Sequence, residues 1–405
     1  MPSLRNWRKK RVTESNDKKV PALRFKGFTD DWEQRKPGDF LVESKIIGHK
    51  GDKAKKLTVK LWGKGVQEKQ DILSGSANTQ YYIRKSGQLM YGKLDFLHAA
   101  FGIVPSQLNN YESTIDSPSF DVKSANSIFL LNLFLRKKFY LYYGERANGS
   151  RKAKRIHEKD FLVMPIKMPE INEQNKISNL IEIVNNRITL QQRKLNDLSS
   201  MKSALLQNIF PNTQGIKKIK LSTQEWNLQK ISSIFKERNQ RNKNGMLLSV
   251  SISKGVYPFS ENDRKDNSSN DKSNYKEVKI NDLAYNSMRM WQGAVGVSKY
   301  NGIVSPAYTV ITPKKEENPN FYYYYFKNKR MLFNFRQHSQ GLTSDTWNLK
   351  FPLFEKILIQ VPSDKEEEQR ISSLFKQLDK SIDLNKIHIE KLTSIKQFLL
   401  QNMFI

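Results

Sequence analysis

One segment of this chain occurs twice. Residues 172–210 align with residues 366–404 without a gap, at a constant shift of 194 positions (404 minus 210). The same shift places Trp32 over Trp226, far from that segment, so the duplication extends over most of the chain. Units this long are not solenoid repeats, which stack segments of about 20–45 residues. The sequence therefore predicts two similar modules with pseudo-twofold symmetry, a geometry that suits double-stranded DNA.

The charge of the chain predicts a polyanionic partner. The 405 residues carry a formal net charge of +29 and a pI near 9.9, and each Lys or Arg placed on a phosphate releases a counterion. Nucleic acid is favoured over a plain solubility bias, because solvated surfaces usually mix both signs. A membrane is disfavoured as a partner, because the sequence contains no long uncharged apolar stretch.

The N-terminal composition and the lack of cysteine indicate the cellular compartment of the protein. Residues 1–20 are rich in Arg, Lys and Ser and lack the apolar region of a signal peptide, so we predict a basic flexible tail. Zero cysteines exclude disulfides and thiolate metal sites and fit a reducing compartment. We expect a cytoplasmic protein.

Each copy of the repeated segment has apolar residues at alternating spacings of four and three. This heptad spacing, kept over about four heptads, predicts the seam of a left-handed coiled coil. The seam positions are Ile177, Ile181, Val184, Ile188, Gln191, Leu195, Leu198, Lys202 and Leu205 in the first copy, and Ile371, Phe375, Leu378, Ile382, Asn385, Ile389, Leu392, Lys396 and Leu399 in the second.

The polar seam residues indicate how the two helices pair. A parallel pair in register would place Lys202 against Lys396, two like charges. An antiparallel pair separates these lysines and brings Gln191 opposite Asn385 at the middle of the seam, where polar residues fix register. We therefore predict an antiparallel coiled coil set by this amide pair. The alternative is that both amides merely tolerate solvent.

The remaining pattern predicts an α+β fold in each module. Short β-type runs occur within residues 87–105 and 280–311, and helices are favoured over strands for residues 125–143 and 319–335. The predicted divisions are residues 1–20 for the tail, 21–168 for the first module, 169–215 for the first long helix, 216–361 for the second module and 362–405 for the second long helix.

Two loops at matching places in the repeat have the chemistry of DNA contacts. Arg, Lys, Asn and Gln read base edges, whereas Ser, Thr and Lys hold phosphates. The candidates are Arg146, Asn148, Ser150, Arg151, Lys152 and Lys154 in the first module, and Arg336, Gln337, Ser339, Gln340 and Thr343 in the second. For any one of them, a solvated loop position is the alternative.

A second candidate surface lies nearer the middle of each module. It comprises Arg289, Trp291 and Gln292 in the second module, and Tyr91, Lys93 and His98 in the equivalent stretch of the first. Trp291 fits either a hydrophobic contact in a DNA groove or a place in the core.

The sequence gives no indication of catalysis. The strings Ser117-Pro-Ser-Phe120 and Asn318-Pro-Asn-Phe321 lack the second proline of an amino-methyltransferase loop, and no phosphate-binding loop with Gly-Lys-Ser/Thr occurs. The five histidines lack metal-ligand spacing. We therefore predict no catalytic residue, cofactor or metal in the chain itself.

The chain resembles the specificity subunits of type I restriction-modification enzymes. The resemblance is carried by residues 21–36 (PALRFKGFTDDWEQRK), residues 293–308 and the pair Gln207-Asn-Ile-Phe210 and Gln401-Asn-Met-Phe404, and it covers the chain from Pro21 onward. It implies two target-recognition domains, each reading one half of a bipartite, asymmetric DNA sequence, joined by two long antiparallel helices. It also implies docking of two adenine-N6 methyltransferase subunits and, in the full complex, two ATP-driven restriction subunits. These partners, rather than this chain, would use S-adenosylmethionine, ATP and Mg.

Two other functions fit parts of the sequence. A nuclease or methyltransferase fused to its own recognition domains is disfavoured by the missing catalytic motifs. A coiled-coil protein that binds nucleic acid non-specifically is disfavoured because its two modules would not need to diverge. The non-specific binder would show a steep salt dependence with little difference between DNA sequences.

Overall fold

The structure, a computed structural model, describes residues 19–70, 75–146, 154–211, 216–217, 219, 221, 225–261, 271–314 and 317–405. These residues form two compact units. The first contains the described residues up to Leu190 together with His388–Ile405, and the second contains Gln191–Ile387. Each unit mixes short strands and helices, so the predicted α+β class with two similar domains is confirmed. The predicted domain divisions separate the modules from the long helices, whereas each compact unit includes part of both helices.

The first unit contains eleven described strands and the shorter helices that pack on them. The strands are β1 (Glu33–Arg35), β2 (Leu41–Ser44), β3 (Ile46–Lys50), β4 (Leu57–Val59), β5 (Val66–Glu68), β6 (Gln80–Ile83), β7 (Leu89–Tyr91), β8 (Phe101–Ile103), β9 (Glu112–Ser113), β10 (Ser119–Val122) and β11 (Ile166–Met168). The helices are α1 (Ser127–Phe134), α2 (Lys137–Glu145), α3 (Glu158–Leu162) and the long α4 (Ile171–Ile209), which continues into the second unit.

The second unit repeats this order. Its described strands are β12 (Trp226–Lys230), β13 (Phe235–Glu237), β14 (Leu248–Ser251), β15 (Gly255–Pro258), β16 (Lys276–Val278), β17 (Leu283–Asn286), β18 (Val295–Val297), β19 (Gly302–Val304), β20 (Tyr308–Pro313) and β21 (Leu358–Pro362). Its helices are α5 (Ile231–Ile234), α6 (Pro319–Phe326), α7 (Lys329–His338), α8 (Phe351–Phe354) and the long α9 (Lys365–Asn402), which ends in the first unit. The helices expected within residues 125–143 and 319–335 are confirmed.

A four-stranded antiparallel sheet forms the centre of each unit. The strand order is β2-β10-β7-β8 in the first unit and β13-β20-β17-β18 in the second. Side chains alternate between the two faces of a strand, and on β7 both faces are covered. Leu89 and Tyr91 enter the main core with the helices, whereas Met90 enters a smaller cluster beneath the β4–β5 hairpin. The sheet therefore holds the hairpin on one side and the helices on the other.

The long helices pack antiparallel within each unit. In the first unit, Ile177 and Ile181 near the start of α4 share a core with Leu399 and Met403 near the end of α9. In the second unit the roles are reversed. There Leu205, near the end of α4, packs in the core that contains Ile371, Phe375 and Leu378 near the start of α9. The predicted antiparallel arrangement is therefore confirmed.

The seam lysine of α4 has a carboxylate partner. Lys202 forms an ion pair with Asp379 of α9, and the hydroxyl of Tyr324 donates to the same carboxylate at 2.8 Å. In the first unit, the equivalent Lys396 is half-buried, and burial lowers the pKa of its ammonium group. The antiparallel arrangement thus gives Lys202 an opposite charge in place of the second lysine.

Equivalent asparagines connect the long helices to the short helices α1 and α6. Asn126 caps α1 by accepting from the backbone N–H groups of Ile128 and Phe129, and the hydroxyl of Ser178 on α4 donates to the same amide oxygen at 2.8 Å. In the second unit, Asn318 caps α6 and donates to Ser372 Oγ on α9 at 3.0 Å. Each long helix is therefore joined, near its own N-terminus, to the N-terminus of a short helix.

A buried glutamate at the start of each long helix is paired with a basic residue. Arg24 donates to both oxygens of Glu173, at 2.7 and 2.8 Å, and the Glu173 side chain is fully enclosed. In the second unit, Lys217 lies 3.5 Å from Glu367, and the indole N–H of Trp226 donates to that carboxylate at 3.1 Å. These contacts hold the segment that precedes each module against its helices.

Candidate nucleic-acid interface

In the second unit, a short hairpin projects from the surface after α7. Gln340 and Asn348 exchange two backbone hydrogen bonds of 3.0 and 2.8 Å, and the Thr346 hydroxyl donates to the Thr343 carbonyl at 2.9 Å. The side chain of Leu342 at the tip is completely exposed. The closing bonds show that the tip is an ordered turn.

Two tryptophans and an arginine form the base of this hairpin. Trp347 meets Trp291 edge to face, with ring centroids 5.2 Å apart, and the Arg336 guanidinium lies 4.9 Å from the Trp347 ring centre. The backbone N–H of Leu349 donates to the Ser287 carbonyl at 2.9 Å. The two candidate surfaces of the second module are therefore one continuous surface, which we call the tryptophan platform: Trp291, Arg336 and Trp347.

The predicted residues of the second module lie on or beside this platform. Arg336, Gln337, Gln340 and Thr343 are exposed, whereas Arg289, Trp291, Gln292 and Ser339 are half-buried. Ser339 has a structural bond as well, because its hydroxyl donates to the Phe335 carbonyl at 2.7 Å. Arg289 lies 4.0 Å from Asp345 in the hairpin. Trp347 was not among the predicted residues.

In the first unit, Tyr91 and Lys93 are interior residues, which corrects their prediction as DNA contacts. Tyr91 is fully buried in the aromatic core and donates to the Ile156 carbonyl at 3.0 Å. Lys93 is 5% exposed and forms an ion pair of 2.7 Å with Glu158. Burial is the largest single influence on the pKa of Glu158 and raises it, but the hydrogen bond and charge of Lys93, together with further hydrogen bonds to the carboxylate, outweigh burial and the pKa is lowered. Neither side chain has surface available for DNA in this conformation.

The predicted loop of the first module is only partly described. Arg146 is exposed at the end of α2, where its guanidinium lies 3.4 Å from the centre of the Tyr142 ring. Lys154 donates to the Glu145 carbonyl. The other candidates in this loop, Asn148, Ser150, Arg151 and Lys152, lie outside the described residues.

An exposed tryptophan in the first unit was missed from the sequence. Trp62 lies in the turn between β4 and β5 and is 59% exposed. Its ring meets His98 edge to face, with centroids 5.5 Å apart. His98 belongs to a short 3₁₀ turn, Phe96–His98, whose repeat equivalent is Met290–Gln292 in the tryptophan platform. Equivalent turns of the two units therefore each carry an edge-to-face aromatic contact with a tryptophan from another loop.

The two amides predicted to fix the helix register both lie in the second unit. Asn385 is buried, and its amide donates to the Ser381 carbonyl of its own helix at 2.9 Å. Gln191 is half-buried on α4. Their role in register stays a prediction.

Neither a metal cluster nor a membrane span is found among the described residues. No group of three or more His, Asp or Glu side chains there is placed to hold a metal ion. Likewise, none of the described helices is both long enough and apolar enough to cross a bilayer.

Comparison with known proteins identifies the second module. Residues 223–394 match the family described as Type I restriction modification DNA specificity domain. This match covers the second module and most of the second long helix, and it agrees with the resemblance inferred from the sequence. A search of curated protein sequences finds no match.

Solved structures extend the similarity over both units. The chain is similar to the S subunit of a type I restriction-modification system from M. genitalium, at 13% identity and a TM-score of 0.59, with 95% of this chain and 99% of that chain covered. It is also similar to an HsdS subunit from Thermoanaerobacter tengcongensis, at 14% identity and a TM-score of 0.48, with 96% and 98% covered. At such identity, the first similarity shows a shared fold.

Proposed function

We propose that this chain is the DNA-reading subunit of a type I restriction-modification complex, and that each unit reads one half of a bipartite, asymmetric sequence. The observation that carries the proposal is that the two units share the same backbone framework but expose different side chains on it. The central sheets and the 3₁₀ turns are repeated. In the first unit, the turn residue His98 meets Trp62 of the β4–β5 hairpin, whereas in the second unit the turn residue Trp291 meets Trp347 beside Arg336. Equivalent surfaces with different chemistry would read different half-sites.

Arginine, tryptophan and hydroxyl side chains suit contact with a duplex. A guanidinium donates to guanine edges or phosphates, and hydroxyls such as that of Thr343 donate to phosphate oxygens. Aromatic and apolar side chains contact base faces or thymine methyl groups. The high positive charge of the chain adds affinity that does not depend on sequence.

We further infer that the chemistry is carried out by partner subunits. Two methyltransferase subunits would methylate adenine N6 with S-adenosylmethionine, and two restriction subunits would use ATP and Mg. Apolar side chains that the long helices leave exposed would dock the methyltransferases, because soluble proteins rarely leave such groups without a partner. In the first unit they include Ile183, Leu190, Ile395 and Phe398, and in the second Met201, Leu384 and Ile387.

The proposal is tested by mapping N6-methyladenine in cells with and without this gene. We expect a two-part asymmetric methylated motif that disappears on deletion and returns with the wild-type gene. Replacing residues 21–168 with those of a related module should change one half of the motif only. Unchanged methylation after deletion, with an active methyltransferase partner present, would refute the proposed function.

Docking is tested separately with two substitutions that introduce a negative charge. Leu190→Glu and Leu384→Glu should weaken co-purification of the methyltransferase, because each places a carboxylate on an apolar contact. The exposed Gln192 provides the control, since Gln192→Glu adds the same charge to the helix that carries Leu190. Equal co-purification of all three variants would contradict docking at these positions.

A further inference from the structure

We propose that Trp62 contacts a base in the half-site read by the first unit and determines part of its sequence preference. The inference rests on the proposed function and names one residue that carries it out. Trp62 is 59% exposed, although large aromatic side chains are usually mostly buried. The exposed lysines Lys60 and Lys64 lie on either side of it in the turn, where they can meet phosphates next to the contacted base.

The backbone of Trp62 is held in a rare conformation. Its φ angle is +59°, in the left-handed region that bulky residues seldom adopt. Such conformations persist where the surroundings enforce them, and they are enriched at ligand-binding sites. Two bonds enforce this one. The N–H of Trp62 donates to the His98 carbonyl at 2.7 Å, and the N–H of Gly63 donates to the Ala99 carbonyl at 2.9 Å.

The rest of the turn is equally fixed. The N–H of Lys60 donates to the Gly65 carbonyl at 2.8 Å, and Gly65 packs directly against Gly102 on β8. A side chain presented by a rigid turn loses little conformational freedom on binding, which favours affinity and specificity. The turn therefore has the rigidity expected of a reading element.

The indole ring is available to a ligand. The ring makes an edge-to-face contact with His98, and within the described part of the chain the indole N–H of Trp62 donates no hydrogen bond. An indole offers a π face for stacking on a base and one N–H donor for an acceptor on a base edge. An unpaired or partly unstacked base suits this combination.

The equivalent turn of the second unit has a different side chain. There Gly255 packs against Gly296 as Gly65 packs against Gly102, and the turn before Gly255 exposes Ile252, at 48%. The glycine contact beneath the turn is therefore repeated in both units, whereas the side chain exposed at the turn differs. This is the pattern expected where two modules read different bases.

The test compares Trp62→Gly with wild type in the complete chain, co-expressed with its methyltransferase partner. Glycine adopts a positive φ readily, so this substitution removes the ring without straining the turn. Ile47→Ala is the control, because Ile47 is another exposed apolar residue of the first unit, at 73%. The probe is a DNA library with both half-sites randomised, and the readout is N6-methyladenine at each sequence.

We expect Trp62→Gly to keep the wild-type melting temperature and the second half-site, but to lose about tenfold in preference at one or more positions of the first. Ile47→Ala should retain the whole motif. A Trp62→Gly protein with the wild-type motif and wild-type relative rates would overturn the role of Trp62. If wild type itself shows no sequence-restricted methylation, the proposed function fails, and this inference fails with it.

Discussion

Gly102 lies against Gly65 so closely that a Cβ on Gly102 would stand 2.9 Å from the Cα of Gly65. Since backbone atoms cannot yield as a flexible side chain can, we expect Gly102→Ala to displace the Trp62 turn. It should lower the free energy of unfolding by about 1–3 kcal/mol and weaken preference at the first half-site. Gly296→Ala is the matched control, because a Cβ on Gly296 would stand 2.7 Å from the Cα of Gly255 in the equivalent contact, and its effect should fall on the other half-site. Denaturant unfolding and methylation mapping together check both variants.

Removing Trp347 should impair recognition by the second unit. Trp347→Ala takes away the edge contact to Trp291 and the surface beneath Arg336. We expect affinity for DNA to fall by about tenfold, corresponding to roughly 1–2 kcal/mol of lost aromatic contact, with preference at the first half-site unchanged. Binding should be measured at constant salt on duplexes that differ in one half-site. Trp347→Phe should retain most of the affinity, and equal affinity of wild type and Trp347→Ala would contradict the platform.

Breaking the Arg24–Glu173 pair should destabilise the first unit. Arg24→Ala would leave the buried Glu173 carboxylate without its guanidinium, and removing one partner of a buried pair costs about 3–5 kcal/mol. The double variant Arg24→Ala with Glu173→Gln should lose less than the sum of the single variants, because no unpaired charge remains. A double-mutant cycle from denaturant unfolding measures the coupling. Additive single effects would show that the pair contributes little.

Lys327 should make the stability of the second unit vary with pH in the alkaline range. Burial, with Lys202 nearby, lowers the pKa of Lys327 to about 8 from its ordinary 10.5. Between these values the unfolded chain binds more protons than the folded chain. The free energy of unfolding therefore falls as the pH is lowered through this range, and the full penalty for burying the charged lysine is present below a pH of about 8. Lys327→Met should therefore be stabilising near pH 7, with an advantage that shrinks by up to about 2 kcal/mol towards pH 10. Denaturant unfolding of both proteins across this range checks the sign, and a constant difference would contradict it.

The parts of the fold that repeat in the sequence were predictable from it. The heptad spacing gave both long helices, and the prospect of Lys202 facing Lys396 was enough to choose the antiparallel arrangement. The partner that Lys202 has instead, Asp379, lies outside the seam positions. Its role depends on how the helices rotate against α6, where Tyr324 also reaches it, and no local pattern reports that rotation.

The candidate site was less predictable, because exposure depends on distant parts of the chain. Tyr91 and Lys93 have side chains typical of DNA contacts, yet Ile156 and Glu158 enclose them from a segment far along the chain. Tryptophan side chains are usually buried, so residue type alone suggests core positions for Trp62 and Trp347. Only the left-handed turn at Trp62 and the hairpin closed by Gln340 and Asn348 bring them to the surface. The one available sign was their position in polar, lysine- or threonine-rich turns.

The core of the first unit includes Leu399, Met403 and Phe404, whereas the second unit lies wholly within Gln191–Ile387. During synthesis, every residue of the second unit therefore leaves the ribosome before the first unit has all of its core. The module translated first would be the last to finish folding, and until then the apolar residues around Trp32 would remain open to chaperones and proteases. Truncation just before residue 388 should consequently destabilise the first unit, although most of that unit is distant from the cut in sequence, and leave the second unit folded.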